Sequence, residues 1–189
     1  MSGIKSIRTE YNGYCFRSRL EARWAVFFDY LRVPYWYEPA VILLDKGPYL
    51  PDFFLPTIRG GCWIEIKGET PSWAAESKVD ALSALTGQDA FIFHGDIPHL
   101  KTLRDGSVEF LHDEGSAYAA ACNDIDHRWC ICPKCGRLGI EYYGRGARVC
   151  GNECCPGEDK SYSDNHPRLL AAYDAARAAQ FTPAETGRA

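Results

Sequence analysis

The chain has 189 residues, 46% of them hydrophobic and 13% aromatic, with a formal charge of −4. This apolar content suffices for a core of one or two domains and excludes a wholly disordered chain. The bulk charge announces no polyanionic partner, and no apolar run approaches the roughly 20 residues of a membrane span.

The polar stretch 1–10 lacks the apolar segment of a secretory signal, so a cytoplasmic location and no membrane partner are expected. Within 18–31, Leu20, Trp24, Phe27, Phe28 and Leu31 recur at helical spacing and the pattern ends before Pro34, which predicts an amphipathic helix. Residues 35–38 are aromatic and extended. Residues 49–55 and 62–67 read as strands joined by the glycine-bearing turn 56–61, a hairpin. Residues 74–85 read as a helix ended by Gly87, and 90–93 as a short buried strand. This order predicts a mixed α/β domain over 1–111. A polar connection, 112–127, leads to a cysteine-rich module, 128–160. The remaining stretch, 161–189, carries Leu169, Leu170, Tyr173, Ala176 and Phe181 at helical spacing, followed by a tail.

The net charge divides unevenly. Residues 1–37 carry six basic and three acidic side chains (+3), residues 38–127 six and fifteen (−9), and residues 128–189 nine and seven (+2). An acidic middle between two weakly basic ends fits a carboxylate-rich centre whose flanks touch an anion.

In Trp63-Ile64-Glu65-Ile66-Lys67, strand alternation puts Glu65 and Lys67 on one face and Ile64 and Ile66 on the other. With the hairpin turn centred between Ile58 and Arg59, Asp52 falls opposite Glu65, where side-chain bases are about 5 Å apart. Two carboxylates at that range repel unless a cation offsets them, and a hard divalent cation with oxygen ligands does so, with Lys67 alongside. Glu21, at the edge of the core-facing helical stripe, is in reach of the sheet. Ser18-Arg19-Leu20-Glu21 also fits a capping box, in which Glu21 serves only a backbone donor. The helix by itself leaves both roles open.

Pro51-Asp52, then Glu65-Ile66-Lys67 after a hairpin, preceded by the helix segment Phe16-Arg17-Ser18-Arg19-Leu20-Glu21, resembles the PD-(D/E)xK nuclease superfamily. The likeness spans residues 11 to about 95 and is greatest to phage and transposon endonucleases that are similar to Holliday-junction resolvases. It implies a nuclease core of mixed sheet and flanking helices. It further implies that Asp52, Glu65 and the Ile66 carbonyl hold Mg²⁺ or Mn²⁺, with Glu21 completing the shell. Lys67 would orient or deprotonate the attacking water and stabilise charge on the phosphate. Phosphodiester hydrolysis needs a water made nucleophilic near neutral pH and positive charge opposite the developing oxyanion. The implied substrate is duplex or branched DNA, and junction-type relatives imply a homodimer; Arg17 and Arg19 are candidate DNA contacts, and Lys78, on the following helix, either faces the same site to contact phosphate or is a solvent-exposed lysine.

Six of nine cysteines crowd into 130–155. Cys132-Pro133-Lys134-Cys135-Gly136 is followed after fourteen residues by Cys150, then by Cys154 and Cys155. Two thiolate pairs at this spacing fit a tetrahedral, structural Zn²⁺ ribbon, with the first pair on a glycine-terminated knuckle. Cys132, Cys135, Cys150 and Cys154 are the expected ligands, with Cys155 the alternative to Cys154 and Cys130 or His127 as substitutes. Residues 140–143 and 147–149 would form the ribbon hairpin. Arg145 and Arg148 would offer basic groups to nucleic acid. The leading expectation is a metal-dependent DNA endonuclease. The alternatives are a nuclease-fold DNA-binding or regulatory protein without turnover, which a Mn²⁺ titration separates, and an RNA-directed nuclease.

Overall fold

The computed structural model describes residues 7–102, 108–110, 117–120, 124–132, 135–142 and 165–182. In chain order the elements are β1 (Thr9–Tyr11), β2 (Tyr14–Phe16), α1 (Arg19–Leu31), β3 (Trp36–Tyr37), β4 (Ile42–Leu44), β5 (Gly47–Tyr49), β6 (Phe53–Leu55) and β7 (Cys62–Lys67). They continue with α2 (Trp73–Thr86), β8 (Asp89–His94), β9 (Leu100–Thr102), β10 (Val108–Phe110), β11 (Ala117–Ala119), β12 (Asp124–Ile131), β13 (Leu138–Tyr142) and α3 (Pro167–Ala178). Among the described residues a mixed sheet runs in the order β13-β12-β11-β8-β7-β6-β3. β1-β2, β4-β5 and β9-β10 are separate two-stranded ribbons.

Each helix is bounded by local chemistry. Ser18 caps α1, its hydroxyl accepting from the Glu21 N–H at 3.2 Å. At the other end the Val33 N–H reaches the Phe28 carbonyl and the Arg32 N–H the Asp29 carbonyl, a Schellman closure with Arg32 in the left-handed region at φ 58°. α2 starts on Ser72 and stops at Gly87, φ 67°. Pro167 opens α3, where a missing N–H costs nothing.

The sheet separates two apolar layers. Phe53, Ile64, Ile66, Phe91 and Phe93 face α1 and α3, while Phe54, Trp63, Ala90 and Ile92 pack with Val79 and Leu82 of α2. The parallel β7-β8 pair, with α2 as crossover, is therefore covered on both faces and apolar nearly throughout. The β6-β7 register pairs Phe53 with Ile64, Phe54 with Trp63 and Leu55 with Cys62, as the placement of the hairpin turn predicts.

Two expectations change. The predicted strand 49–55 is divided: Tyr49 belongs to the β4-β5 hairpin and a new strand starts at Phe53. Pro51 lies between them and has no N–H for a ladder. The sheet also crosses residues 112–127, the stretch predicted as a connection. β11 pairs with β8 and β12 with β11, and Trp129, Ile131, Leu138 and Ile140 enter the same core as α1. The Trp129 ring stacks on Phe93, centroids 4.7 Å apart. Tyr173 of α3 stacks on Phe27 at 4.9 Å. The described part of 128–160 thus continues the main sheet, and β13 has β12 as its partner. The predicted ribbon strand 147–149 lies outside the described residues.

Candidate active site

Glu65 and Lys67 lie on the face of β7 that also carries Trp63, opposite Ile64 and Ile66. Continuing the β6-β7 register places Asp52 across from Glu65. Both carboxylates are buried, Asp52 at 2% exposure and Glu65 at 6%. Asp52 sits in the break between β5 and β6, and its position is fixed through both its oxygens. Oδ2 accepts from the Ile66 N–H at 2.7 Å, and Oδ1 accepts from the Arg17 guanidinium at 2.5 Å. The backbone adds a tether, the Glu38 N–H donating to the Asp52 carbonyl at 2.8 Å.

Glu65 is held in the same manner. The buried Tyr49 hydroxyl donates to Oε2 at 2.8 Å, and Lys67 Nζ lies 2.5 Å from Oε1. Lys67 keeps 40% of its side chain exposed, so its ammonium stands between the buried carboxylate and solvent. Lys78 extends from α2 over the Tyr49 ring, 6.0 Å from its centroid. It therefore borders the site at one remove, through Tyr49.

Burial, then the neighbouring Glu65 and Glu21 charges, push the Asp52 carboxyl up to about 8, against the pull of the Ile66 N–H and Lys67. Desolvation and the Glu65 carboxylate likewise raise Tyr49 well above the ordinary phenol range, so it stays a hydrogen-bond donor. Burial works against the charge of Arg17, but Asp52, Tyr37, Glu38 and Glu21 outweigh it and hold the guanidinium protonated.

Glu21 is buried, and the structure gives it the capping role together with a link to the sheet. Ser18 Oγ donates to Oε1 at 2.8 Å, and Oε2 accepts from the Arg17 N–H at 3.1 Å and from the Tyr37 hydroxyl at 2.7 Å. Tyr37 is on β3, so Glu21 ties the start of α1 to the edge of the sheet. Arg17 is a counter-ion of the acidic centre, paired with Asp52 and, at 2.5 Å, with Glu38. Arg19 is exposed on the first turn of α1.

Among the described residues, no three His, Cys, Asp or Glu side chains converge closely enough to hold a metal ion as they stand. The donor set nevertheless fits a hard cation. Two buried carboxylates, opposite each other by the continued β6-β7 register, lie beside the Ile66 main chain, and burial together with the Glu65 charge lifts Asp52. At the cysteine knuckle, the Gly136 N–H donates to the Cys132 carbonyl and the Cys132 N–H to the Arg137 carbonyl, with Gly136 at φ 67°. The turn is the predicted glycine-terminated one, and beside it Cys135 packs against the buried Cys130 and Cys132 without the three thiols converging as a metal set. Thiols suit Zn²⁺, so the described half of the set fits that ion. Cys150, Cys154, Cys155, Arg145 and Arg148 lie outside the described residues.

Glu38, Tyr37 and Tyr49 carry the site's geometry without a motif to mark them, and Arg17, inside the helix motif and expected as a DNA contact, is paired with Asp52 and Glu38 instead. The alternation of buried Tyr35 and Tyr37 with exposed Trp36 is the one local signal that turns Tyr37 inward. No family model, curated protein or solved structure matches the chain. No helix among the described residues is long and apolar enough to cross a membrane.

Proposed function

We propose that the chain is a metal-dependent endonuclease of PD-(D/E)xK type that hydrolyses DNA phosphodiester bonds in duplex or branched substrates. The observation carrying this reading is the buried Asp52–Glu65 pair across the β6-β7 hairpin, with Lys67 on the Glu65 carboxylate. A Mg²⁺ or Mn²⁺ ion held by Asp52, Glu65 and, following the resemblance, the Ile66 carbonyl would supply charge neutralisation and a more acidic water.

The chain's own residues do the remaining work. Tyr49 fixes one Glu65 oxygen and Lys67 the other, which sets the carboxylate plane. Arg17 and the Ile66 N–H do the same for Asp52. Lys67, anchored on Glu65 and open to solvent, orients the attacking water and meets the negative charge growing on the phosphate. Lys78 gives the adjoining phosphate a second cation. Glu21 acts as a positioning residue: through Tyr37 and the Arg17 N–H it sets where the Arg17 side chain begins. Cys132 and Cys135, with Cys150 and Cys154, would hold a structural Zn²⁺ at the end of β12, leaving no open position for water. Arg145 and Arg148 would add nucleic-acid contacts.

The test is incubation with supercoiled plasmid, a branched DNA and an RNA of the same sequence in Mg²⁺ or Mn²⁺, beside a Glu65→Ala, Lys67→Ala double variant. Nicking or cutting of DNA by the wild type alone is the expected result. Equal activity of the two proteins, or none on any nucleic acid, refutes the proposal.

A further inference from the structure

A second cleft lies at the other end of β7 from Lys67, about 20 Å along the sheet at ~3.3 Å per residue. It has a volume of about 420 Å³ and lies where the α1 C-terminus, the β6-β7 turn, the cysteine knuckle and the start of α3 meet. Its floor is apolar, made by Ile58, Ile131 and Leu138. Among the described residues its charged lining is Arg32, Arg137 and Arg168, with no acidic side chain.

These arginines come from three separate elements, and each is more available than its setting requires. Arg32 and Arg137 are exposed, and neither guanidinium has a carboxylate partner among the described residues. Arg17, Arg23, Arg59 and Arg177 are each paired with an Asp or Glu, while Arg8 and Arg19, which share no cleft, are exposed and without an ion pair among the described residues. Arg168 donates through Nη1 to the Gly136 carbonyl at 3.0 Å, which ties α3 to the knuckle and leaves the rest of its five-donor fork for a ligand. Arg32 occupies the left-handed closing position of α1, φ 58°, where glycine is favoured. A long cationic side chain at a strained position points to a use for that side chain.

We infer that this cleft binds the phosphate of a nucleotide, with the sugar or base resting on the Ile58–Ile131–Leu138 floor. Guanidinium forks match phosphate oxygens in pairs, and an apolar floor under three of them suits an amphiphilic anion better than an inorganic one. The volume is that of a small-ligand site. Nucleic-acid strands and free nucleotides present the same chemistry, so both serve as probes. The inference goes beyond the Asp52–Glu65 centre and is tested without divalent metal, so the failure of one reading leaves the other standing.

The experiment measures binding of a fluorescein-labelled 12-nucleotide single strand to the full chain by anisotropy, with dAMP and inorganic phosphate as competitors and no added Mg²⁺ or Mn²⁺. The variants are Arg32→Gly, Arg137→Gln and, as an equal-charge control, Arg59→Gly. Arg59 is also left-handed, φ 52°, but is paired with Asp89. Arg32→Gly relieves the left-handed strain, so its unfolding midpoint should hold or rise, which separates lost binding from lost folding. Arg32→Gly and Arg137→Gln should each weaken the strand about tenfold, the size of a lost charge-assisted contact. Arg59→Gly should leave affinity within about twofold. Binding of dAMP with the same arginine dependence and no binding of the strand assigns the cleft to a free nucleotide. No binding of either probe, or equal losses in all three variants, overturns the inference.

Discussion

Replacing Asp52 by asparagine should stabilise the protein at alkaline pH in the absence of added divalent metal, and the effect should grow with pH. Asp52 is 2% exposed, and burial, then Glu65 and Glu21, raise its carboxyl from 3.8 to about 8. Below about pH 4 the group is protonated both folded and unfolded and contributes no pH dependence. Between about pH 4 and 8 the unfolded chain has lost the proton and the folded one keeps it, so stability falls as pH rises. Above about pH 8 the full cost is present. A displacement of that size sets a ceiling on the order of 5 kcal/mol. Asparagine keeps an acceptor and removes the charge, but it also weakens the contact with Arg17, which is half-exposed and can turn to water. The expected net gain is therefore about 1–3 kcal/mol at pH 9 and near zero at pH 4. Urea unfolding of wild type and Asp52→Asn at pH 4, 7 and 9 measures it. A gap that stays constant with pH, or a variant less stable than wild type at pH 9, would show that burial and the neighbouring carboxylates do not hold the Asp52 carboxyl up.

Tyr49→Phe removes the donor to Glu65 and should cost about 1 kcal/mol of stability while loosening the carboxylate, read as a weaker Mn²⁺ titration with an unchanged fold by circular dichroism. Ser18→Ala should cost about 1 kcal/mol in urea unfolding, because the hydroxyl both caps α1 and donates to Glu21. Trp129→Ala should cost about 3–5 kcal/mol and unfold both halves in one transition, since its fully buried ring stacks on Phe93 and touches Trp24, Phe27 and Phe28. Two separated transitions by fluorescence and by circular dichroism would contradict a shared core.

The half of the fold that carries Asp52 and Glu65 is legible because its signals are local and mutually consistent. The alternation in 62–67 and the turn position fix the β6-β7 register, and that register alone brings Asp52 to Glu65. The helical stripe from Leu20 to Leu31 and the Ser18 cap do the same for α1. What is not legible depends on contacts distant in sequence. Arg17 meets Asp52 across 35 positions, and no spacing rule connects a residue before a helix cap to one before a strand. Tyr37 and Tyr49 look like ordinary core aromatics until their hydroxyls are placed on Glu21 and Glu65. In the C-terminal half the cysteine spacing obscures a second pattern. In β12, Trp129 and Ile131 face the main core while Cys130 faces away, and Cys132 follows directly, so one stretch carries both a sheet signal and the first of the expected thiol ligands. Thiol spacing predicts a glycine-terminated turn, which Gly136 makes, but it says nothing about which sheet the strand joins.

The central claim is that Asp52 and Glu65 form one hard-cation site serving Lys67. Its most direct test is a Mn²⁺ titration of the full chain followed by electron paramagnetic resonance, with zinc content held constant, beside Asp52→Asn and Lys67→Ala. One Mn²⁺ site per chain is expected in the wild type, with its loss in Asp52→Asn and its retention in Lys67→Ala. Equal Mn²⁺ binding by wild type and Asp52→Asn, or no saturable site in the wild type, would contradict it.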